Sequence, residues 1–125
     1  MCGEIKRVLI VEDDPVQALL LRKVFESINY IVIGIAESGS NAIKMAEDLS
    51  PDVITMDIML SDDIDGIEAA TEIQKKIDVD LIFISGNADP EIMERASKTK
   101  YRSFLRKPYN LLDIRNLFSS EVNAD

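Results

Sequence analysis

The sequence has no histidine and no tryptophan, and it contains one cysteine, Cys2, among 125 residues. Without histidine, serine–histidine and cysteine–histidine catalysis are excluded, and the commonest zinc ligand is missing. A single cysteine cannot form an internal disulfide, which is typical of cytoplasmic proteins. No apolar run approaches the ~18 residues of a transmembrane helix, and the first residues lack the basic and apolar segments of a signal peptide. We therefore expect a cytoplasmic protein that does not enter a membrane.

Basic residues are also in the minority, since 14 lysines and arginines stand against 23 aspartates and glutamates, for a net charge of −9. This charge repels nucleic acids and anionic membranes, so we expect neither as a direct partner. It suits a metal cation or a protein with a basic face. The length and the 46% apolar content are those of one globular domain. We predict a single domain over residues 1–125, with its core at about 5–120.

Short β-branched runs alternate with amphipathic segments along the whole chain. Most of the runs are apolar nearly throughout, which is typical of strands buried on both faces of a parallel sheet. They lie at residues 7–11, 31–35, 52–56, 80–84 and 101–105. Four polar residues precede helical segments as candidate N-caps, and these are Asp14, Asp65, Asp89 and Asn110. The alternation predicts an α/β fold, a doubly wound five-stranded parallel sheet with five helices on its two faces.

Apolar side chains at helical spacing predict which face of each helix joins the core. We identify such stripes in the first, third and fifth helical segments. They consist of Val16, Leu19, Leu20 and Val24; Ile67, Ala70, Ile73 and Ile77; and Leu111, Ile114, Leu117 and Phe118. We expect all of these residues to be core residues.

Charged and hydroxyl side chains stand just after the strands, at the edge of the sheet where doubly wound folds bind ligands. They are Glu12, Asp13, Asp14, Asp57, Ser85 and Lys107. Of these, we expect Asp14 to be a helix cap. Three remaining carboxylates against one ammonium leave a charge of −2, which a divalent cation would balance. Carboxylates without histidine or thiol ligands favour a hard cation, so we expect Mg²⁺, with Mn²⁺ as the alternative.

The same groups suit phosphoryl transfer to a carboxylate. Asp57 would be the nucleophile, because an ionised aspartate can form an acyl phosphate without a general base. Ser85 and Lys107 would stabilise the phosphoryl oxygens. Asp13 and Asp57 can supply oxygens to the metal, together with a backbone carbonyl near Met59. Glu12 could act on the metal through a water molecule.

In order and spacing these residues resemble a response-regulator receiver domain of two-component signalling. The resemblance covers about residues 5–120. Five segments carry it: VLIVEDDP at 8–15, PDVITMDIML at 51–60, Asp65–Gly66, FISG at 83–86 and FLRKP at 104–108. It implies a flavodoxin-like three-layer sandwich with strand order 2-1-3-4-5.

The resemblance implies that Asp57 accepts a phosphoryl group from a sensor histidine kinase or a histidine phosphotransfer protein. It also implies that Glu12 and Asp13 hold Mg²⁺ with Asp57 and the backbone carbonyl of Met59. The family usually has two aspartates where this chain has Glu12 and Asp13, a variation that should leave metal binding intact. The apolar side chain of Met59 cannot orient an attacking water, so we predict slow loss of the phosphoryl group.

The resemblance further implies that Ser85 turns toward the new phosphate, that Lys107 pairs with it, and that the bond from Lys107 to Pro108 is cis. Phe104 falls at an aromatic switch position, and the fourth helix, fifth strand and fifth helix form the responding face. The output would be a downstream protein target or a fused domain, with the chain a monomer or weak homodimer and not an enzyme in its own right.

Three other interpretations are open. An aspartyl-phosphate phosphatase of the haloacid dehalogenase type uses similar groups, but it needs an acid two residues after the nucleophile, where this chain has Met59. A pseudo-receiver would bind partners without phosphorylation, which the full set of site residues argues against. A flavin-binding flavodoxin-like domain would need a phosphate-cradling loop after the first strand, where the sequence is acidic instead.

Overall fold

In the computed structural model, which describes residues 5–61 and 63–122, five strands alternate with five helices. The elements are β1 (Arg7–Val11), α1 (Pro15–Ser27), β2 (Ile31–Ala36), α2 (Gly39–Leu49), β3 (Val53–Asp57), α3 (Gly66–Gln74), β4 (Asp80–Ser85), α4 (Pro90–Ala96), β5 (Ser103–Arg106) and α5 (Leu111–Val122). The strands are parallel and their order is β2-β1-β3-β4-β5. The predicted α/β fold and the implied strand order are confirmed.

The order of the strands reverses between β1 and β3. The chain leaves β1 toward β2 on one side and later returns to place β3 on the other side, with Val11 opposite Met56. A crevice therefore opens beyond the carboxyl ends of β1 and β3, where ligands bind in such folds. The last strand begins later than predicted, because its pairing with β4 starts at Ser103 opposite Ile82. The ring of Tyr101, which precedes it, packs on Phe83.

The sheet separates two apolar clusters. One cluster lies under α2, α3 and α4 and includes Leu9, Ile54 and Phe83. The other lies under α1 and α5 and is centred on an aromatic trio, with ring centroids 5.3–5.8 Å apart. The trio consists of Phe25, Tyr30 and Phe118. Each helix layer is thus fixed to its own face of the sheet, and the polar strand ends lie between the two layers.

The predicted core stripe of α1 is wrong for three of its four residues. Val16, Leu19 and Leu20 are 64%, 51% and 38% exposed. The buried side of α1 is formed by Ala18, Leu21, Val24 and Phe25, and the buried Ile28 follows directly after the helix. The cause is that α1 carries two apolar stripes at helical spacing, and only the one through Leu21 and Phe25 faces the sheet.

The other two predicted stripes are mostly confirmed. Leu111, at the start of α5, is 42% exposed and is the exception. The remaining residues are buried or partly buried, and they are Ile67, Ala70, Ile73, Ile77, Ile114, Leu117 and Phe118. Among the described residues, no helix combines the length and apolarity needed to cross a bilayer.

All four predicted N-caps are confirmed. Each side chain accepts a hydrogen bond from a backbone amide of the first turn, at 2.8–3.0 Å. The caps are Asp14, Asp65, Asp89 and Asn110. Asp65 also forms a reciprocal capping box with Glu68, and Ser38 caps α2, for which we had no prediction. Each cap stabilises its helix by about 1 kcal/mol, which fixes where the loops at the polar edge end.

Candidate functional site

Parallel pairing brings the carboxyl ends of four strands to one edge of the sheet. Asp57 is the last residue of β3 and lies opposite Ile84, and Ser85 ends β4 opposite Arg106. Glu12 follows β1 directly, and Lys107 follows β5 directly. The structure therefore gathers the predicted site residues, although they are up to 95 positions apart, from Glu12 to Lys107.

Three carboxylates form a notch at this edge. One oxygen atom each from Glu12, Asp13 and Asp57 lie within 4.8 Å of one another. Glu12 and Asp57 are each 3% exposed, whereas Asp13 is exposed to solvent. Oxygen donors that converge with one side open fit a hard divalent cation that keeps part of its water shell. The residues present could therefore hold a metal ion here.

Lys107 supplies the positive charge of the notch. Its Nζ donates a hydrogen bond to Asp57 Oδ2 at 3.1 Å and lies 3.6 Å from Glu12 Oε1. Burial acts to lower the pKa of Lys107, but the hydrogen bond to Asp57 and the charges of Asp57 and Glu12 outweigh it and raise the pKa above its usual value. Lys107 is therefore an ammonium across the physiological pH range.

Glu12 is a buried carboxylate whose ionised form is disfavoured in the notch. Burial first, and then the charge of Asp57, raise the pKa of Glu12 to about 7, against the lowering effects of the Asp14 amide and of Lys107. The Asp14 amide donates to Glu12 Oε2 at 3.1 Å. Without a cation, Glu12 therefore takes up a proton near neutral pH, chiefly because it is buried.

Asp57 is held in one orientation by its surroundings. The Met59 amide donates to Asp57 Oδ1 at 3.1 Å, while Lys107 holds the other oxygen. The Met59 side chain itself is 58% exposed. Behind the notch, the Gly66 amide donates to the Ile58 carbonyl at 2.9 Å. A Cβ on Gly66 would overlap the Asp57 carbonyl and lie 2.8 Å from the Ile58 Cα, so only glycine lets α3 begin this close to the end of β3.

Ser85 faces the loop that follows it. Its hydroxyl donates to the Asn87 carbonyl and accepts from the Asn87 amide, both at 3.0 Å. The Ser85 carbonyl in turn accepts from the Lys107 amide at 2.8 Å. The bond between Lys107 and Pro108 is cis, as the resemblance implied. Ser85 is therefore at the notch and fully buried, with its hydroxyl bound to its own loop.

Phe104 lies in β5, three residues before Lys107, and packs on the side of the sheet that α4 covers. Its half-buried ring packs 6.1 Å from the Phe83 ring and 6.3 Å from the Tyr101 ring, centroid to centroid. Tyr109 lies on the other face, half-buried against the α1 and α5 cluster. Burial, together with the charge of Glu12, raises the pKa of Tyr109, which places its hydroxyl within the field of the acidic notch.

The sequence did not point to Arg95, which joins the surroundings of the site. Its guanidinium on α4 forms an ion pair with Asp65, the cap of α3, with Nη2 2.8 Å from Oδ2. The two residues are 30 positions apart and share no motif. The sequence marks Asp65 only as a helix N-cap, which predicts a hydrogen bond within α3 and not an ion pair with another helix.

Comparison with known proteins agrees with this geometry. A family model described as the response regulator receiver domain matches residues 8–119. The chain is 34% identical to the chemotaxis protein CheY of Thermotoga maritima, over 83% of this chain and 87% of that protein. It is 37% identical to a protein-glutamate methylesterase/protein-glutamine glutaminase of Methanospirillum hungatei, over 94% of this chain but 35% of that protein. It spans about a third to a half of the first curated relatives that it matches.

A similar solved structure is the receiver domain of a sensor histidine kinase from Pseudomonas aeruginosa, with a magnesium ion coordinated in the active site cleft. The TM-score is 0.81 at 25% identity, and the match covers 97% of this chain and 100% of that one. The family match extends over most of the chain and includes every strand end described above. This chain therefore belongs to the response regulator receiver domain family.

Proposed function

We propose that Asp57 is a phosphoacceptor that takes a phosphoryl group from the phosphohistidine of a sensor histidine kinase or a histidine phosphotransfer protein. In this step a carboxylate oxygen of Asp57 bonds to phosphorus as the phosphorus–nitrogen bond of the donor breaks. The donor imidazole leaves with the electron pair and takes up a proton, and Asp57 becomes an acyl phosphate. The observation that carries the proposal is a buried aspartate held 3.1 Å from a lysine and grouped with two further acids.

The acidic notch would hold Mg²⁺, or Mn²⁺ in its place. Glu12, Asp13 and Asp57 would supply carboxylate oxygens and Met59 its backbone carbonyl. A bound divalent cation would neutralise the developing charge on the phosphoryl oxygens. The raised pKa of Glu12 is consistent with this role, because burial first, and then the charge of Asp57, disfavour its ionised form, and a bound cation would favour that form.

Lys107 and Ser85 would bind the new phosphoryl group. Lys107 already contacts Asp57, so its ammonium can transfer its hydrogen bond from the carboxylate to a phosphoryl oxygen. The Ser85 hydroxyl would have to give up its two bonds to Asn87 to do the same. That exchange would alter the loop before α4, and with Phe104 it would switch the face formed by α4, β5 and α5.

The exposed stripe of α1 suits the docking of a phosphodonor protein. α1 begins three residues after Glu12, with the exposed Val16 in its first turn and Leu19 and Leu20 in its second. A donor that delivers a phosphoryl group to Asp57 must approach the acidic notch, and the apolar side chains offer it a surface to bury. The negative charge around the notch favours a donor with basic residues at its rim.

The chain would act as a signalling module and not as a turnover enzyme, catalysing only its own phosphorylation and slow dephosphorylation. A phosphatase of the haloacid dehalogenase type would need an acid two positions after Asp57. This chain has Met59 there, and its side chain is exposed. The output would pass to a downstream protein or a fused domain. The single-domain organisation over 1–125, the monomeric or weakly dimeric state and the cytoplasmic location stay predictions.

The test is incubation with acetyl phosphate and Mg²⁺ followed by intact-mass measurement. We expect one phosphoryl adduct on the wild type and none on Asp57→Asn. Asp78→Asn is the matched control, since Asp78 is an exposed aspartate in the loop before β4, and it should be labelled like the wild type. An adduct that persists on Asp57→Asn, or no adduct on the wild type, would contradict the proposal.

A further inference from the structure

Few interactions hold α4 to the rest of the molecule. Ala96 is its only fully buried side chain, with Ile92 half-buried against the cluster under α2, α3 and α4. Among the residues that the structure describes, Arg95 makes the only ion pair between α4 and another element. Arg95 Nη2 lies 2.8 Å from Asp65 Oδ2 and 3.1 Å from Asp65 Oδ1, so it contacts both carboxylate oxygens. This pair is therefore a principal polar constraint on where α4 sits.

Asp65 is itself fixed at the start of α3, next to the end of β3. Its Oδ1 also accepts from the Glu68 amide at 2.9 Å, and its own amide donates to Glu68 Oε1 at 3.0 Å. The next residue, Gly66, lies against the Asp57 carbonyl with no room for a Cβ. Arg95 thus connects α4 to Asp65, and the neighbouring Gly66 lies directly against the Asp57 backbone.

The other end of α4 is connected to Ser85. The Asp89 amide donates to Asn87 Oδ1 at 2.9 Å, and the Asp89 carboxylate caps the helix at Ile92. The Ser85 hydroxyl donates to the Asn87 carbonyl and accepts from the Asn87 amide. A change in the orientation of Ser85 would therefore act on the N-terminal end of α4, while Arg95 restrains the C-terminal end.

We propose that the ion pair between Arg95 and Asp65 is a latch that holds α4 in the position seen here and so opposes the release of Ser85 from Asn87. The proposal rests on the phosphoacceptor role of Asp57. A contact present only in one of two conformations favours that conformation, and by linkage it weakens any process that favours the other. Breaking the latch should therefore make phosphorylation of Asp57 more favourable, without a change in the notch itself.

The expected effect is small but measurable. A partly exposed ion pair contributes little to stability, and the corresponding shift in a two-state equilibrium is about 2- to 5-fold. Arg95→Gln removes the charge and keeps a polar side chain on an otherwise unchanged helix. Asp65→Asn removes the same pair and keeps a good N-cap for α3. The control is Arg22→Gln, which breaks the exposed pair with Glu26 within α1, at 3.2 Å.

Two measurements test the latch. The first is amide hydrogen exchange of residues 91–96 in the unphosphorylated protein, and the second is the rate of labelling by acetyl phosphate with Mg²⁺. We expect Arg95→Gln and Asp65→Asn each to raise both rates about 2- to 5-fold, the double variant to match the single ones, and Arg22→Gln to change neither. In Arg95→Gln, an unchanged exchange rate or an unchanged labelling rate would overturn the proposal, as would additive effects in the double variant.

Failure of the latch can be told apart from failure of the phosphoacceptor role. If the wild type takes no label, the role of Asp57 is wrong, yet the exchange measurement still reports whether Arg95 restrains α4. If the wild type is labelled and Arg95→Gln changes only the exchange rates, α4 is restrained but not coupled to Asp57, and the latch as proposed is wrong.

Discussion

Replacement of Glu12 by glutamine tests the electrostatics of the notch. The pKa of Glu12 is about 7 in the folded protein, against an ordinary value of 4.5. Because the folded value is the higher one, Glu12 stabilises the fold below about pH 4.5, and this contribution is lost as the pH rises through 7. With about 1.4 kcal/mol per pKa unit, the free energy of unfolding should fall by roughly 2–3 kcal/mol between pH 5 and pH 8 from this group alone.

Glutamine cannot ionise, but its amide oxygen can still accept from the Asp14 amide. Between pH 5 and pH 8 the free energy of unfolding of metal-free Glu12→Gln should therefore rise by roughly 2–3 kcal/mol relative to that of the wild type. A constant difference introduced by the substitution does not affect this change. The assay is urea unfolding with a chelator at both pH values. Glu37→Gln is the control, because Glu37 is an exposed glutamate that follows β2 directly, and its difference from the wild type should not depend on pH.

Magnesium should also change the free energy of unfolding. At pH 8 a cation at ten times its dissociation constant stabilises the folded state by about 1.4 kcal/mol, and Glu12→Gln should reduce this gain. The contrary result is a difference in the free energy of unfolding between Glu12→Gln and the wild type that changes by less than about 0.5 kcal/mol from pH 5 to pH 8. It would mean that the fold does not disfavour the ionised form of Glu12. The argument from charge balance for a bound cation would then be refuted.

Three further predictions concern the surroundings of Asp57. Thr55→Val should raise the free energy of unfolding by about 1 kcal/mol, because the buried Thr55 hydroxyl has no hydrogen-bond partner within the described structure; a loss of stability on urea unfolding would contradict this. Gly66→Ala should lower it by about 1–3 kcal/mol, because the new methyl group overlaps the Asp57 carbonyl; an unchanged unfolding midpoint would show that α3 shifts freely. Met59→Asn should shorten the lifetime of the acyl phosphate several-fold, because an amide can orient an attacking water where a thioether cannot; the decay of the phosphorylated mass measures this, and a wild-type lifetime of seconds would refute the slow loss predicted from Met59.

The strand ends could be predicted because parallel strands place their carboxyl ends together whatever the sequence between them. Asp57 and Lys107 are 50 residues apart, and the alternation of strands and helices was sufficient to bring them to one edge. The helix caps could be predicted for a related reason, since a cap such as Asp89 bonds to an amide three residues away.

The buried face of α1 could not be predicted, because the sequence offers two apolar stripes and helical spacing does not say which one faces the sheet. Val16 and Leu20 fit the periodicity as well as Leu21 and Phe25 do, and only packing against the sheet and α5 decides between them. The pair between Arg95 and Asp65 was hidden for another reason. Side-chain contacts between neighbouring helices depend on helix placement to within an ångström or two, which patterning does not specify.

The division of the core by the sheet has a consequence for how many proteins the domain can engage together. α1, with its exposed apolar stripe, covers one side of the sheet, whereas α4 covers the other. A phosphodonor seated on α1 would leave α4 uncovered. A downstream protein seated on α4 would then not compete with the donor, whereas one that also covers α5 would, because α5 packs beside α1. A three-component assembly is therefore expected only for a downstream protein that binds through α4.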